Sequence, residues 1–139
     1  MRAIRLLVVE DNPADAEIIL EILGGDAVEI ELARDGQQAL DILQTGGGAA
    51  FPANPNLIIL DLNLPKLRGC DVLAAIRADD RWRRIPVIVL TSSGNETEIT
   101  QLYAAGASCY LIKPVDHSEF VSVLRTVAQF WLRVAELPN

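Results

Sequence analysis

The stretch NLIILDLNLPKLRG, residues 56–69, decides the fold, because it joins a buried strand to an acidic residue and a turn. Four apolar residues, 57–60, run directly into Asp61. Such a short apolar run, bounded by turn residues, is typical of a strand that is buried on both faces. Asp61 therefore closes the predicted strand at its carboxyl end, where open α/β sheets bind their ligands. Taken alone, the same aspartate is equally well explained as a turn residue.

Further short apolar runs occur along the chain, at residues 6–9, 87–90 and 108–112, and residues 28–32 alternate apolar with acidic side chains. Apolar residues at helical spacing follow each of these segments, so strands alternate with helices five times. This alternation predicts right-handed βαβ units and one α/β domain over residues 1–139. The expected fold is flavodoxin-like, with a five-stranded parallel sheet in the order 2-1-3-4-5 and helices on both faces. The Gly- and Pro-rich segment 45–55 predicts a loop.

The composition of the chain fits a single domain and excludes several classes of function. Its 139 residues are half hydrophobic and carry a net charge of −7, which provides for a core and argues against non-specific nucleic-acid binding. The sequence contains no signal-peptide pattern and no apolar run of membrane-spanning length. Cys70 and Cys109 lack the spacing of metal ligands. We therefore expect a cytoplasmic protein with reduced thiols and with no nucleic-acid or membrane partner.

Polar side chains of related chemistry follow four of the predicted strands. They are Glu10 and Asp11 after the first, Asp61 after the third, Thr91 after the fourth and Lys113 after the fifth. Because parallel strands have their carboxyl ends along one side of a sheet, and the first and third strands are neighbours, we expect the three carboxylates to converge. Crowded carboxylates repel one another, and a hard divalent cation such as Mg²⁺ offsets this repulsion.

The same constellation suits phosphoryl transfer. A carboxylate can act as the nucleophile and carry an acyl phosphate. Lys113 offers a positive charge to a phosphoryl oxygen, and Thr91 offers a hydroxyl donor. Each residue also has an ordinary explanation, as a helix-start acid, a turn residue or a surface lysine. Agreement among four separate strand ends favours the functional interpretation.

The stretches LLVVEDNPAD, LIILDLNLPKLRG, IPVIVLTSS and CYLIKPV, in this order and spacing, resemble the receiver domain of two-component response regulators over nearly the whole chain. The resemblance implies that Asp61 accepts a phosphoryl group from a sensor histidine kinase, with Lys113 as a further site residue. It also implies switch residues and a cis peptide bond before Pro114. The switch residues are Thr91 and Tyr110.

The implied metal site binds Mg²⁺ through three carboxylates and one backbone carbonyl. The ligands are Glu10, Asp11, Asp61 and the carbonyl of Asn63. Glu10 stands where the family often has the shorter aspartate, so one metal contact is expected to run through water. Asn63 and Ser92 occupy positions at which the family varies, which leaves the lifetime of a phosphoaspartate open.

The sequence motifs resemble still more closely those of small stand-alone regulators that are partnered with bacterial phytochromes. EDNPAD, DLNLPK, LTSS, the insertion before the third strand and FWL near the C-terminus carry this likeness. It implies a phosphorelay protein without an output domain, whose only chemistry is its own phosphotransfer and autodephosphorylation. It also implies a homodimer or partner face, formed by Phe130, Trp131, Leu132 and Leu137, although core packing explains Trp131 equally well.

Three other functions remain open from the residues. A phosphatase of the haloacid dehalogenase type would also use an aspartate at a strand end, but it normally needs a second acid where this chain has Asn63. A flavodoxin-like cofactor binder would need a phosphate loop after the first strand, which is missing. A receiver-like interaction module that is never phosphorylated usually lacks the aspartate or the lysine, and both are present here.

Overall fold

The structure, a computed structural model, describes residues 3–46 and 53–138. Helices and strands alternate in the predicted order: β1 (Ile4–Val9), α1 (Pro13–Leu23), β2 (Val28–Ala33), α2 (Gly36–Gln44), β3 (Leu57–Leu60), α3 (Gly69–Ala78), β4 (Val87–Thr91), α4 (Glu96–Ala104), β5 (Cys109–Ile112) and α5 (His117–Gln129). A π-helical turn, Phe130–Val134, continues α5. Most of the loop predicted at 45–55 falls outside the described residues.

The five strands form one parallel sheet in the order β2-β1-β3-β4-β5, which confirms the predicted topology. Side chains of a strand alternate between the two faces of a sheet. Leu7 and Ile58 accordingly belong to one apolar cluster, together with α2 and α3. Leu6 and Ile59 belong to a second cluster on the opposite face, together with α1 and α5. The central strand β3 is buried on both faces, so Asp61 follows a fully buried strand.

Side-chain caps start four of the helices close behind the strand ends. In each case a side-chain oxygen accepts a hydrogen bond from the backbone N–H three residues later, which satisfies a free donor of the first turn. The capping residues are Asn12, Asp35, Asn95 and Asp116. Helix α3 has no such cap and begins at Gly69, where a Cβ atom would meet the carbonyl oxygen of Asp61 and lie 2.6 Å from Cα of Leu62. Glycine therefore lets α3 start directly against the residue that closes β3.

Candidate functional site

Three carboxylates meet at the carboxyl ends of β1 and β3, as the strand order predicts. Oxygen atoms of Glu10, Asp11 and Asp61 lie within 4.8 Å of one another. Glu10 and Asp61 are buried, with 1 % and 5 % of their surface exposed, whereas Asp11 is exposed. Carboxylate oxygens in such an arrangement are the ligands that Mg²⁺ and similar hard cations prefer. The donor set therefore fits a divalent cation bound at the open, Asp11 side of the cluster.

Lys113 lies at the centre of this cluster. Its Nζ atom donates hydrogen bonds to Oε1 of Glu10 at 2.5 Å, to Oδ2 of Asp61 at 2.9 Å and to Oδ2 of Asp15 at 3.0 Å. A lysine ammonium has three N–H donors, so all of them are bound to carboxylates. The backbone N–H of Lys113 donates to the carbonyl of Thr91 at 2.7 Å, which fixes the end of β5 beside β4.

The peptide bond between Lys113 and Pro114 is trans, and the described residues contain no cis peptide bond. The cis bond expected from the family resemblance is therefore wrong for this structure. The trans isomer is the more stable form of such a bond by about 0.5–1 kcal/mol, and Lys113 reaches all three carboxylates with it.

Asp15 is a member of the site that the sequence analysis did not identify. It lies in the first turn of α1, where its backbone N–H donates to Oδ1 of Asn12 at 3.0 Å, and its carboxylate points back to Lys113. A signal was present in the sequence, because the helix that follows β1 begins at the same end of the sheet as the acidic pair. An acid in its first turn is one helical turn beyond Asp11 and can face the same ligand.

The electrostatics of the cluster are unbalanced, since four carboxylates surround one ammonium. Burial raises the pKa of Glu10 to about 7, the hydrogen bond from Lys113 acts in the opposite direction, and the charge of Asp61 raises this pKa further. Burial alone would lower the pKa of Lys113, but the hydrogen bonds and charges of Glu10 and Asp61 outweigh it and raise that pKa. The cluster thus retains surplus negative charge, which a cation would offset.

Both side-chain oxygens of Asp61 have partners from the protein. Oδ2 accepts from Lys113, and Oδ1 accepts from the backbone N–H of Asn63 at 3.1 Å. The Asn63 side chain also approaches Thr91, with Nδ2 3.5 Å from Oγ1. Thr91 is fully buried at the end of β4. The structure therefore brings the predicted Thr91 and Asn63 to the same end of the sheet as the acids and the lysine.

Tyr110, the predicted aromatic switch residue, is buried with 9 % of its surface exposed. Its hydroxyl lies 2.9 Å from the carbonyl oxygen of Ser93 and 2.8 Å from Oε1 of Glu98. Burial, followed by the hydrogen bond and charge of Glu98, raises the pKa of Tyr110 to about 12. The phenol is therefore a neutral hydrogen-bond donor at any physiological pH.

The apolar residues predicted to form a dimer face are divided by the structure into exposed and partly buried members. Phe130 is half exposed and meets the ring of Trp131 edge-to-face, with 5.4 Å between the centroids. Trp131, Leu132 and Leu137 are partly buried and pack against the core cluster beside α5. A groove of ≈ 340 Å³ lies between β5 and α5, lined by residues that include Cys109, Leu111, Val123, Phe130 and Trp131. Core packing thus explains part of this apolar set.

The described helices include none with the length and apolar character needed to cross a membrane.

Comparison with known proteins assigns the chain to a family. The response regulator receiver domain family matches residues 6–125. The chain is 39% identical over 135 residues to the response regulator Rcp1 of Synechocystis sp., which covers 96% of this chain and 92% of Rcp1. It is 37% identical over 131 residues to the probable methanogenesis regulatory protein FilR2 of Methanothrix harundinacea, which covers 91% of this chain and 83% of FilR2.

Solved structures agree with this assignment. The crystal structure of the Mn²⁺-bound form of Rcp1 has a TM-score of 0.89 at 38% identity and covers 97% of this chain and 99% of that one. The crystal structure of the phosphorylated cyanobacterial phytochrome response regulator RcpA has a TM-score of 0.91 at 39% identity, and the two chains cover 99% of each other. The bacteriophytochrome response regulator RtBRR is also similar, with a TM-score of 0.73 at 37% identity, and covers 99% of this chain and 85% of that one.

Proposed function

The chain belongs to the response regulator receiver family, and from this premise we propose that it carries a phosphorelay signal by accepting a phosphoryl group on Asp61. The observation that carries the proposal is the position of the Asp61 carboxylate, which lies at the end of a fully buried strand in contact with Lys113. A nucleophile needs a fixed position and a nearby positive charge that stabilises the transferring group. The proposed donor is a phosphohistidine of a sensor histidine kinase.

In the proposed step, an oxygen of Asp61 attacks phosphorus, an O–P bond forms and the P–N bond to the kinase imidazole breaks. The bonding electrons leave with the imidazole nitrogen, which takes up a proton. Lys113 interacts with an oxygen of the transferred group, and the Thr91 hydroxyl donates to another. We propose that the chemistry of the protein is limited to this transfer and to the later hydrolysis of its own phosphoaspartate.

Receiver domains bind Mg²⁺ in an acidic pocket, and a related protein has been crystallised with Mn²⁺. We propose that Mg²⁺ is the ion used here. Its ligands would be the carboxylates of Glu10, Asp11 and Asp61 and the backbone carbonyl of Asn63. When bound, the ion supplies positive charge that offsets the surplus of carboxylates and the charge of the phosphoryl group. Asp15 lies outside this ligand set, because it contacts Lys113 on the α1 side.

We propose that the partner kinase is a bacterial phytochrome, since relatives of this chain carry that name. After phosphorylation, Thr91 and Tyr110 would change their contacts and alter the surface of α4, β5 and α5. A homodimer through this surface is part of the proposal, with Phe130, Trp131, Leu132 and Leu137 at the contact. The exposed ring of Phe130 beside an apolar groove supports it, because such a patch is typical of an interaction site. The cytoplasmic location stays a prediction.

The test of phosphorylation is the intact mass of the protein after incubation with acetyl phosphate, with and without Mg²⁺. We expect a single phosphoryl gain that requires Mg²⁺ and is lost in Asp61→Asn. Asp71→Asn is the matched control, because Asp71 is an exposed acid of α3 outside the cluster and should leave the gain unchanged. An equal gain in Asp61→Asn would refute the assignment. No gain in the wild type would instead favour the unphosphorylated interaction module.

The test of the dimer is light scattering of the same samples during size-exclusion chromatography. We expect Phe130→Glu to lower the dimer fraction by placing a charge on the groove, whereas Val115→Glu should not. Val115 is a suitable control because it is fully exposed and does not line the groove between β5 and α5. A wild-type protein that stays monomeric in both phosphorylation states would contradict this part of the proposal.

A further inference from the structure

Helix α4 holds Tyr110 at two separate atoms. The backbone N–H of Tyr110 donates to the hydroxyl of Tyr103 at 3.0 Å, and the Tyr110 hydroxyl lies 2.8 Å from Oε1 of Glu98. Glu98 is in the first turn of α4 and Tyr103 is near its end. Both ends of the helix are therefore hydrogen-bonded to one residue of the edge strand β5.

The same hydroxyl also connects to the segment that carries Thr91. Strand β4 ends at Thr91, and the carbonyl oxygen of Ser93, two residues later, lies 2.9 Å from the Tyr110 hydroxyl. A phenol has a single hydrogen to donate, so Ser93 and Glu98 compete for it. The position of Tyr110 therefore depends jointly on helix α4 and on the residues that follow Thr91.

Glu98 is the charged partner of the Tyr110 hydroxyl. A hydrogen bond to a carboxylate is roughly twice as strong as one between neutral groups. A buried hydroxyl that loses its acceptor is left without a hydrogen bond, because water does not reach it as it would at an exposed position. The Tyr103 hydroxyl has a different effect, because it binds an N–H on the open side of an edge strand, where no neighbouring strand is available.

We propose that Glu98 and Tyr103 are positioning residues that hold Tyr110 buried before phosphorylation and thereby couple helix α4 to Thr91. The coupling to Thr91 rests on the proposed function, whereas the holding of Tyr110 does not. A change at Thr91 would move Ser93, shift the balance at the Tyr110 hydroxyl toward Glu98, and change the contacts of α4. This is a population shift between two hydrogen-bond arrangements of the same residue.

The test is fluorine NMR of protein labelled with 3-fluorotyrosine, measured without any phosphodonor. The chain has two tyrosines, so two resonances are expected, and Tyr110→Phe assigns them because it keeps the backbone N–H that donates to Tyr103. In Glu98→Ala we expect the Tyr110 resonance to move toward that of free fluorotyrosine and to become more sensitive to a soluble gadolinium chelate. Glu98→Gln, which keeps an acceptor without the charge, should give an intermediate shift.

The matched control is Glu96→Ala. Glu96 lies in the same first turn of α4 and is exposed, so this variant makes the same change in net charge and in the charge near the helix start. We expect it to leave the Tyr110 resonance in place. Equal spectra for wild type and Glu98→Ala would overturn the proposal, and so would equal shifts in Glu96→Ala and Glu98→Ala. Circular dichroism of each variant checks that the overall helix content is unchanged.

A second measurement tests the coupling to Thr91. Couplings of this kind change rates or affinities by factors of about 2–30, so we expect Glu98→Ala to slow the acetyl phosphate reaction at least twofold with Mg²⁺ present. A shifted Tyr110 resonance with an unchanged reaction rate would refute the coupling but not the positioning. A wild type that takes up no phosphoryl group would refute the proposed function, and the spectra would still decide the positioning role.

Discussion

The two ends of the sheet use their polar side chains in different ways. At the amino end, the Asn56 side chain accepts from the backbone N–H of Arg5 at 2.8 Å and donates to the carbonyl of Pro138 at 3.0 Å. Arg77 donates to three backbone carbonyls at that end, at 2.7–3.1 Å. The acceptors belong to Arg83, Ile85 and Gly106. Each of these side chains therefore finds its partners within the protein.

At the carboxyl end, ionised side chains contact one another, and their charges do not balance. Glu10 and Asp61 are buried and share one ammonium with Asp15. Buried like charges persist in a folded protein only when other interactions offset their repulsion. A surplus of buried carboxylates is unfavourable for stability, and such departures from stable packing are expected at functional sites. The comparison thus separates side chains that hold the fold from side chains that we propose carry the chemistry.

Lys113→Ala is expected to have the largest effect on stability and on phosphorylation. It removes the positive charge that Glu10 and Asp61 share, and breaking such buried pairs costs about 3–5 kcal/mol of unfolding free energy. Phosphorylation should fall by about 10²–10³-fold, because a charge beside the transferring group is lost. Urea unfolding in EDTA and the intact-mass assay measure the two effects.

The control for Lys113→Ala is Lys66→Ala, because the Lys66 side chain is 71% exposed where it approaches the buried Asp35 at 3.5 Å. Solvent screens a pair whose lysine is exposed, and such pairs contribute about 0–1 kcal/mol, so this variant should lose much less stability than Lys113→Ala. If Lys113→Ala and Lys66→Ala lost the same free energy of unfolding, the buried charges at the carboxyl end would affect stability no more than an exposed lysine does.

An intermediate effect is expected from Arg77→Ala at the amino end. Three carbonyls lose a charged donor, and hydrogen bonds to charged groups contribute about 1.5–3 kcal/mol each in favourable cases, so we expect a loss of about 2 kcal/mol or more. Arg77→Lys should recover only part of it, since an ammonium lacks the planar fork of donors. The rate of phosphorylation should not change, because Arg77 is at the opposite end of the sheet from Asp61.

For Arg77 the matched control is Arg83→Ala, whose side chain forms an exposed pair with Asp80 at 3.0 Å. The same charge is removed, and the backbone carbonyl that Arg77 binds is kept. In urea unfolding, Arg83→Ala should have nearly the same free energy of unfolding as the wild type. A slower phosphorylation of Arg77→Ala would show that side chains at the amino end also affect the reaction, which would contradict the proposed division between the two ends.

The smallest expected effect is a gain in stability rather than a loss. Asp61→Asn should raise the free energy of unfolding in EDTA by about 1 kcal/mol, since a shift of one pKa unit corresponds to about 1.4 kcal/mol and the charge of Asp61 helps to raise the pKa of Glu10. Added Mg²⁺ should reduce or reverse this gain, because the wild type then binds the ion more tightly. Thermal unfolding with EDTA and with Mg²⁺ measures both.

Asp26→Asn makes the same change in net charge at an exposed position in the connection between α1 and β2. It should be neutral under both conditions. A less stable Asp61→Asn in EDTA would mean that the contact with Lys113 outweighs the repulsion among the carboxylates.

The strand order predicted from the sequence is confirmed. The sequence also predicted which polar side chains meet at one end of the sheet, because parallel topology places strand ends side by side and each of these residues follows an apolar run: Glu10, Asp61, Thr91 and Lys113. Their roles in the chemistry stay predictions. The contacts of these side chains required the structure. Asp15 was missed because its role depends on the direction of a helical side chain and on the reach of Lys113.

The residues around Tyr110 could not be predicted for a related reason. Glu98 and Tyr103 lie on a helix with weak apolar periodicity, and the sequence did not indicate which side of α4 faces β5. The cis bond before Pro114 was expected from resemblance alone and is not found. The π-helical turn that extends α5 gave no sequence signal, since FWLRV continues an ordinary helical pattern.

The close contact between Gly69 and the backbone of Asp61 has a consequence for how variation is tolerated in this chain. A position without a side chain contributes no charge, no nucleophile and no ligand, yet any larger residue there would displace the main chain of Asp61 and Leu62. In a library randomised at position 69 and selected for signalling, glycine should return as strictly as the aspartate itself. The position of Asp61 thus depends partly on a residue that takes no part in the proposed chemistry.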